Sequence, residues 1–396
     1  MKKSVFLKAL ALLFIGLQSC NAPKSPTNEN PTESASDSKS VDFKTIATLL
    51  VARMDLQPGE KVLLVGLPNR FESLVNAIAG SLTSTEAEYL GTLSTTDEQP
   101  ENWSSEFVNT ARALSEEELQ IHLGQVDVGI MLPGASPQDL AYHLIQKNLE
   151  EGMGRTVHFH WSGAYDLNGG ALEISPMIDE FYQDVLMTTD YEKLAEDQRI
   201  FEKAMRETTI QVTTPSGTDI SFSIGDRPVT RQDGDASATK AMKAQNLIDR
   251  EIELPAGAIR VAPIETSVNG VIAFPDSKWG ETDVTGLVMT FEEGKVTRME
   301  ATSGLESVEL VMEEAGPVAS SFREFALGLN PKLSIPDEDP WIPYYGYGAG
   351  VVRLSLGDNT ELGGNVTGGF VRWNFFTDAT VKVGEAVWVE NGKLIK

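Results

Sequence analysis

The stretch Lys61-Val62-Leu63-Leu64-Val65-Gly66 decides the fold class of the first half of this 396-residue chain. Its uninterrupted apolar run follows the turn Pro58-Gly59-Glu60 and predicts a strand that is buried on both faces. Apolar spacing predicts helices over Phe43–Met54 before it and Glu72–Leu82 after it. The pattern predicts an α/β domain over residues 41–205 with a mostly parallel sheet covered by helices on both faces. The alternation continues with strands expected at residues 88–93 and 126–132 and helices at residues 116–123 and 137–151.

The second half of the chain has a different, strand-rich pattern. After a helix expected at residues 191–208, alternating segments at residues 210–214 and 220–224 flank the turn Pro215-Ser216-Gly217-Thr218-Asp219, which predicts a β-hairpin. A further helix is expected near residues 307–316. Residues 206–396 are therefore predicted to form a β-rich α+β domain. Its other strands are expected at residues 270–274, 284–291, 295–300, 350–356, 370–375 and 382–389.

Cys20 is the only cysteine of the sequence and ends Leu17-Gln18-Ser19-Cys20, after a short apolar run with lysines before it. The run is too short to span a bilayer, and it predicts a lipoprotein signal peptide over residues 1–19. Cleavage before Cys20 would leave its thiol to carry lipid such as palmitate. Residues 20–40 are rich in Pro, Ser, Asn and Thr and predict a disordered tether. We therefore expect an extracytoplasmic envelope protein, periplasmic or surface-exposed, anchored to the membrane through Cys20; the alternative is a secretory peptide with a spare cysteine.

Charge and motif content exclude several classes of function. The chain has 32 basic and 58 acidic residues and a formal net charge of -26, so nucleic acid is not an expected partner. A single cysteine permits no disulfide within the chain. The sequence contains no P-loop, no dinucleotide fingerprint and no Gly-x-Ser-x-Gly elbow, which removes support for those enzyme classes.

Four segments, in order, carry a family resemblance. They are residues 56–63 (LQPGEKVL), the hairpin turn at residues 215–219 (PSGTD), residues 254–270 (LPAGAIRVAPIETSVNG) and residues 323–331 (REFALGLNP). Together they resemble the aminopeptidase T family of two-metal aminopeptidases, over most of the chain after the tether. The resemblance implies that family's two-domain architecture and a homodimer.

The family's metal ligands are mostly replaced in this chain. Of the ligands that the resemblance implies, only Glu324 is retained. Arginine occupies two of the other ligand positions. It is a permanent cation with donors only, so it cannot coordinate a metal ion. We therefore expect no catalytic residue and no bound cofactor at this site, and the same replacements argue against the family's ring-cleaving dioxygenase branch. The other ligand positions hold Ala258, Arg353, Arg372 and Asn374, and the family's catalytic tyrosine falls near Thr360.

These replacements predict a converted pocket formed by Arg353, Arg372, Glu324 and Asn374. One interpretation is a buried ion pair between an arginine and Glu324 that replaces the metal. The other is that the surplus guanidinium binds a small anionic molecule or peptide through its carboxylate. Two alternatives differ in class: a metalloaminopeptidase with zinc or cobalt in a carboxylate-only site, and a structural envelope protein. The carboxylate site would be assembled from Glu324, Glu265 and Asp358.

Two further segments have a candidate role. All four histidines lie before residue 161, and His158-Phe159-His160 places two imidazoles on one face of a strand, a spacing compatible with zinc. Strand histidines are more often structural, and no cysteine completes such a site. Residues 341–350 (WIPYYGYGAG) combine aromatic residues with glycines, which fits either a ligand-stacking rim loop or aromatic packing at a domain or dimer contact.

Overall fold

The computed structural model describes residues 41–396. The predicted signal peptide, the predicted lipidation site Cys20 and the predicted tether lie outside the described residues. Within residues 41–396, no helix combines the length and apolarity that crossing a bilayer requires. The helices are α1 Phe43–Met54, α2 Glu72–Leu82, α3 Glu106–Ala111, α4 Glu116–Leu123, α5 Leu140–Glu150, α6 Pro176–Thr188, α7 Tyr191–Glu207, α8 Ala238–Ala241 and α9 Leu305–Ala315.

The strands fall into a parallel group and an antiparallel group. They are β1 Lys61–Gly66, β2 Glu88–Ser94, β3 Val128–Met131, β4 Arg155–His158, β5 Ile210–Thr213, β6 Asp219–Phe222, β7 Val229–Arg231, β8 Glu251–Glu253, β9 Ala258–Val261, β10 Asn269–Ala273, β11 Ser277–Trp279, β12 Thr282–Val284, β13 Val288–Glu292, β14 Lys295–Glu300, β15 Phe322–Gly328, β16 Val352–Gly357, β17 Val371–Phe376, β18 Thr380–Val383, β19 Ala386–Glu390 and β20 Lys393–Leu394.

A five-stranded parallel sheet forms the first half, in the order β2-β1-β3-β4-β8. Alternate residues of β1 are buried in two different hydrophobic clusters, so helices cover both faces as predicted. Val62 and Leu64 pack in the cluster that contains α1, α2 and α6 residues, whereas Leu63 and Val65 pack with α3, α4 and α5. The fifth strand, β8, comes from beyond residue 205, so a segment of the second half completes the first sheet.

The second half is antiparallel and β-rich, as predicted. An eight-stranded sheet has the order β14-β13-β10-β6-β5-β18-β19-β20, and a five-stranded sheet has the order β17-β16-β15-β9-β7. Aromatic residues pack between them: the ring centroids of Phe222 and Phe325 are 5.2 Å apart, and those of Phe222 and Phe322 are 5.9 Å apart. The predicted hairpin is β5–β6. The segment expected as one strand at residues 382–389 is instead two strands, β18 and β19, joined by a turn at Gly384, whose φ is +58°.

Pairing within the antiparallel five-stranded sheet, β17-β16-β15-β9-β7, determines which side chains lie on the same face. Glu324 lies opposite Ser355, which lies opposite Trp373, and Arg353 lies opposite Ala326. Paired residues point to one face, and successive residues of a strand alternate between faces. A register shift between Phe322 and Glu324 interrupts this alternation. As a result, the charged groups of Arg323 and Glu324 contact each other although the two residues are adjacent in β15.

Candidate functional site

Five charged residues form what we term the arginine–glutamate cluster: Arg260, Arg323, Arg353, Glu324 and Glu361. Glu324, on β15, is fully buried and is the centre of the cluster. Its Oε1 accepts hydrogen bonds from Arg260 Nε at 2.6 Å and Arg353 Nη2 at 2.8 Å. Its Oε2 accepts a hydrogen bond from Arg323 Nη1. Glu361 accepts further hydrogen bonds from Arg260 and Arg323, and its side chain is 35% exposed, so the cluster meets solvent there.

The charge of Glu324 is stabilised by its neighbours. Burial by itself would raise the pKa of this carboxyl, but the guanidinium groups of Arg260, Arg353 and Arg323 hold the pKa well below its usual range. The converse holds for Arg260, whose pKa lies well above its ordinary value despite burial, mainly because Glu324 is adjacent. Glu324 and Arg260 are therefore both ionised at neutral pH.

Arg353 joins the cluster to an aromatic surface. Its Nη1 donates a hydrogen bond to the Tyr345 carbonyl oxygen at 3.1 Å. Its guanidinium carbon lies 4.7 Å from the centroid of the Trp373 ring and 5.8 Å from that of Tyr347. Arg353 Nε has no hydrogen-bond partner within residues 41–396. Arg353 is buried, whereas Trp373 is 37% exposed and covers it.

The structure separates the other two predicted pocket residues from Arg353 and Glu324. Arg372 and Asn374 lie opposite Leu356 and Leu354, and therefore on the other face of the sheet. Arg372 donates hydrogen bonds to Ser277 Oγ and the Lys278 carbonyl oxygen, both at 3.0 Å. It stacks 3.8 Å from the centroid of the Trp279 ring, and burial lowers its pKa to about 10. Asn374 Nδ2 donates to the Leu354 carbonyl oxygen at 3.1 Å. Glu324 thus pairs with Arg353 but not with Arg372.

The cluster contains two arginines that the sequence did not single out. Ala258, at the first family ligand position, is buried on β9, and Arg260 two residues later supplies a guanidinium to Glu324. Arg323 directly precedes Glu324 and reaches it through the register shift in β15. Two arginines within otherwise apolar buried strands are the sequence signal, because buried arginine requires an ionic partner.

The side chains of the other two residues of the predicted carboxylate site make hydrogen bonds outside the cluster, although the Asp358 carbonyl oxygen accepts a hydrogen bond from Arg323 Nε. Glu265 pairs with Arg227 and accepts hydrogen bonds from Asn359 and the Asn365 backbone. Asp358 accepts hydrogen bonds from Thr360 Oγ1 at 2.6 Å and from three backbone N–H groups of its own loop. Neither carboxylate is grouped with Glu324 as a set of metal ligands among residues 41–396.

A second polar group, the histidine–glutamate group, consists of His158, His160 and Glu253. One potential ligand atom of each lies within 4.8 Å of the others. Burial lowers the pKa of His158 well below its usual value and that of His160 to about 4, so both rings are neutral at pH 7. Burial raises the pKa of Glu253 to about 7 and that of the neighbouring Glu251 to about 8.

The aromatic loop at residues 341–350 packs between the two polar groups. The Tyr344 hydroxyl donates to Glu253 Oε2 at 2.8 Å, and the backbone of the next residue, Tyr345, accepts from Arg353. The Tyr345 hydroxyl lies 2.9 Å from Ser162 Oγ. Trp341 packs against Phe181, with ring centroids 5.1 Å apart. Of the two predictions for this loop, aromatic packing describes these contacts, and stacking on a ligand stays a prediction.

Comparison with known proteins shows likeness in fold alone. No protein-family model and no curated protein sequence matches the chain. Among solved structures, it is similar to 2,5-dihydroxypyridine dioxygenase from Pseudomonas putida KT2440, with a TM-score of 0.59 and 16% identity over 89% of this chain and 96% of that one. It is also similar to wild-type AmpT, an aminopeptidase T, from Thermus thermophilus, with a TM-score of 0.57 and 14% identity over 89% of this chain and 99% of that one. The chain therefore has a distant aminopeptidase-like fold: a parallel α/β sheet followed by antiparallel, strand-rich sheets.

Proposed function

We propose that this protein is a membrane-anchored envelope protein that binds a small anionic molecule or peptide at the arginine–glutamate cluster and does not hydrolyse peptides through Glu324. The observation that carries the proposal is that hydrogen-bond donors of this protein already occupy the lone-pair positions of the Glu324 carboxylate. A carboxylate offers about four lone-pair positions. Three guanidinium N–H groups and, more weakly, the Ser355 hydroxyl at 3.4 Å take them.

A divalent ion at Glu324 would have to displace at least one of these donors. It would then lie beside guanidinium groups, whose charges repel it and which cannot act as ligands. Without a bound ion, no water is activated at neutral pH, and the hydroxide that a metallopeptidase requires does not form. This physical argument supports a non-hydrolytic role for the site.

Charge balance supports the binding of an anion. The cluster contains three guanidinium groups and two carboxylates, and Arg353 Nε has no partner within residues 41–396. A ligand carboxylate would complete the hydrogen bonding of Arg353, as arginine forks do in other proteins. Trp373 covers this guanidinium, so it must move aside when the ligand enters.

The test compares matched ligands on the full chain in detergent. Thermal stability is measured with a series of dipeptides and with the same dipeptides as carboxyl-terminal amides. A ligand present at 100 times its Kd stabilises the folded state by about 2.7 kcal/mol. We expect stabilisation by the free carboxylates only, lost in Arg353→Gln and retained in Arg372→Ala, whose side chain lies on the other face. Equal responses to acids and amides would contradict the proposal.

Hydrolysis of a leucine anilide provides the second arm of the test. We expect no turnover that depends on Glu324. Turnover that a chelator abolishes and that Glu324→Gln also abolishes would favour the alternative, a metalloaminopeptidase with zinc or cobalt. If no anion binds and no substrate is cleaved, the structural envelope protein becomes the better description. Anchoring through Cys20 and a homodimer are parts of this proposal that rest on the sequence alone.

A further inference from the structure

The histidine–glutamate group lies at the carboxyl ends of two neighbouring parallel strands. His158 is the last residue of β4, Glu253 is the last residue of β8, and the two are paired in the sheet. His160 follows two residues after His158. In open α/β sheets, this edge is where ligand sites form, because several loops converge there.

The donor set and its spacing match a transition-metal site. Two imidazoles and one carboxylate are the protein ligands of one type of zinc centre, which leaves a fourth position open. A tetrahedral ion holds its ligand atoms about 3.4 Å apart. The three donor atoms lie within 4.8 Å of one another. Side-chain rotations that move these atoms by about 1 Å would bring them to the spacing of ligands around one ion. We propose that His158, His160 and Glu253 bind a divalent transition-metal ion of the zinc type.

His158 makes no direct hydrogen bond to Glu253 or Glu251, and its ring nitrogens instead contact the Tyr142 hydroxyl, which lies 3.0 Å from Nδ1 and 3.2 Å from Nε2. His158 Nδ1 lies 3.8 Å from Glu253 Oε1, and His158 Nε2 lies 3.5 Å from Glu251 Oε1. Both exceed the usual range for hydrogen bonds from nitrogen to oxygen. A bound ion would bridge His158 and Glu253, because each would contribute one bond of about 2.0–2.2 Å to it.

The surrounding residues orient the ligands as outer-shell groups do in metalloproteins. Glu251 faces the His158 nitrogen that points away from Glu253, and Gln146 Nε2 fixes Glu251 Oε1 with a hydrogen bond of 2.7 Å. The Tyr344 hydroxyl occupies Glu253 Oε2, which leaves Oε1 for the ion. The Tyr142 hydroxyl lies 3.0 Å from His158 Nδ1 and 3.4 Å from His160 Nε2, so it would have to give up these contacts when an ion binds the imidazoles.

This site is separate from the proposed anion site, because Glu253 accepts a hydrogen bond from Tyr344 and makes no ion pair with an arginine of the cluster. The charges of Arg260 and Arg353 nevertheless reach Glu253, where they partly offset the rise in its pKa that burial causes. The test uses the full chain, stripped with chelator and titrated with Co²⁺ and then Zn²⁺. We expect one equivalent of Co²⁺ with the visible absorption of four-coordinate cobalt, and its displacement by Zn²⁺. Replacing the outer-shell carboxylate, Glu251→Gln, should weaken binding about 10–100-fold.

Three variants separate this site from adventitious binding. His160→Ala and Glu253→Gln should abolish the cobalt spectrum, whereas His143→Ala, an exposed histidine on α5, should leave it unchanged. Cys20 is present in all three variants, so an ion bound there would remain in each. Circular dichroism checks that His160→Ala and Glu253→Gln are folded, and Glu251→Gln keeps the test open if one is not. Absence of the cobalt spectrum in the wild type, or its persistence in both ligand variants, would overturn the proposal.

Discussion

Glu324→Gln is the substitution that tests the arginine–glutamate cluster most directly. Glutamine keeps the volume of the side chain but removes the negative charge, and its amide nitrogen is a donor. Arg260 and Arg323 would then keep only the partly exposed carboxylate of Glu361, and Arg353 would lose the carboxylate with which it pairs. Removing one partner of a buried ion pair costs about 3–5 kcal/mol, because a charge is left uncompensated in the interior. We expect Glu324→Gln to lower the free energy of unfolding by that amount.

The matched control is Glu361→Gln, which also removes one carboxylate charge, from a residue that pairs with Arg260 and Arg323. Because the Glu361 side chain is 35% exposed, water screens its interactions, and we expect a loss of about 1 kcal/mol or less. Urea denaturation of the full chain, followed by tryptophan fluorescence, measures both values with the slope of the transition compared between variants. A loss for Glu324→Gln as small as that for Glu361→Gln would refute the claim that the buried carboxylate holds the cluster together.

Three further outcomes follow from the structure. Because neighbouring guanidinium groups hold the pKa of Glu324 well below the usual value of 4.5, its stabilisation is present above pH 4.5 and is lost as the pH falls through the folded-state pKa. The stability difference between wild type and Glu324→Gln should therefore shrink in acid, as measured by urea denaturation at pH 7 and at pH 3. Gly257→Ala places a Cβ atom 2.5 Å from a backbone oxygen and should cost about 1–3 kcal/mol. Gly80→Ala in helix α2 places a Cβ atom more than 4 Å from every other atom of residues 41–396 that it could meet, and should stabilise by about 0.5–1 kcal/mol in the same assay. Arg372→Ala removes a cation–π contact with Trp279 and should cost about 1–2 kcal/mol by the same measurement without changing the response to anions.

Local patterns predicted most of the framework. The bounds of Phe43–Met54, Lys61–Gly66 and Glu72–Leu82 follow from apolar spacing and turn residues, and the structure confirms them. Local sequence does not predict the short strands β8 and β9, because neither Glu251–Glu253 nor Ala258–Val261 has an alternation long enough to indicate a strand. The pairing of β8 with β4 joins segments about a hundred residues apart, which local periodicity does not report.

The candidate site shows the same limit. Arg372 and Asn374 share one face of β17 by simple alternation, but the register that places Glu324 on the other face depends on pairing between distant strands. Arg260 lies in the site because β9 pairs with β15, and Arg323 contacts Glu324 because of a local register shift in β15. Neither cause can be read from local sequence. The His158–His160 spacing was visible in the sequence, whereas its third member, Glu253, was brought close only by the parallel sheet.

The arginine donors that surround the Glu324 carboxylate would hinder the engineering of a metallopeptidase on this scaffold. Restoring a single histidine, for instance at position 353, would still leave Arg260 and Arg323 against the same carboxylate. Each one-step variant would carry either an unmatched interior charge or an incomplete ligand set. A working centre would require several coordinated replacements in one round, so stepwise selection for activity should stall at the first of them.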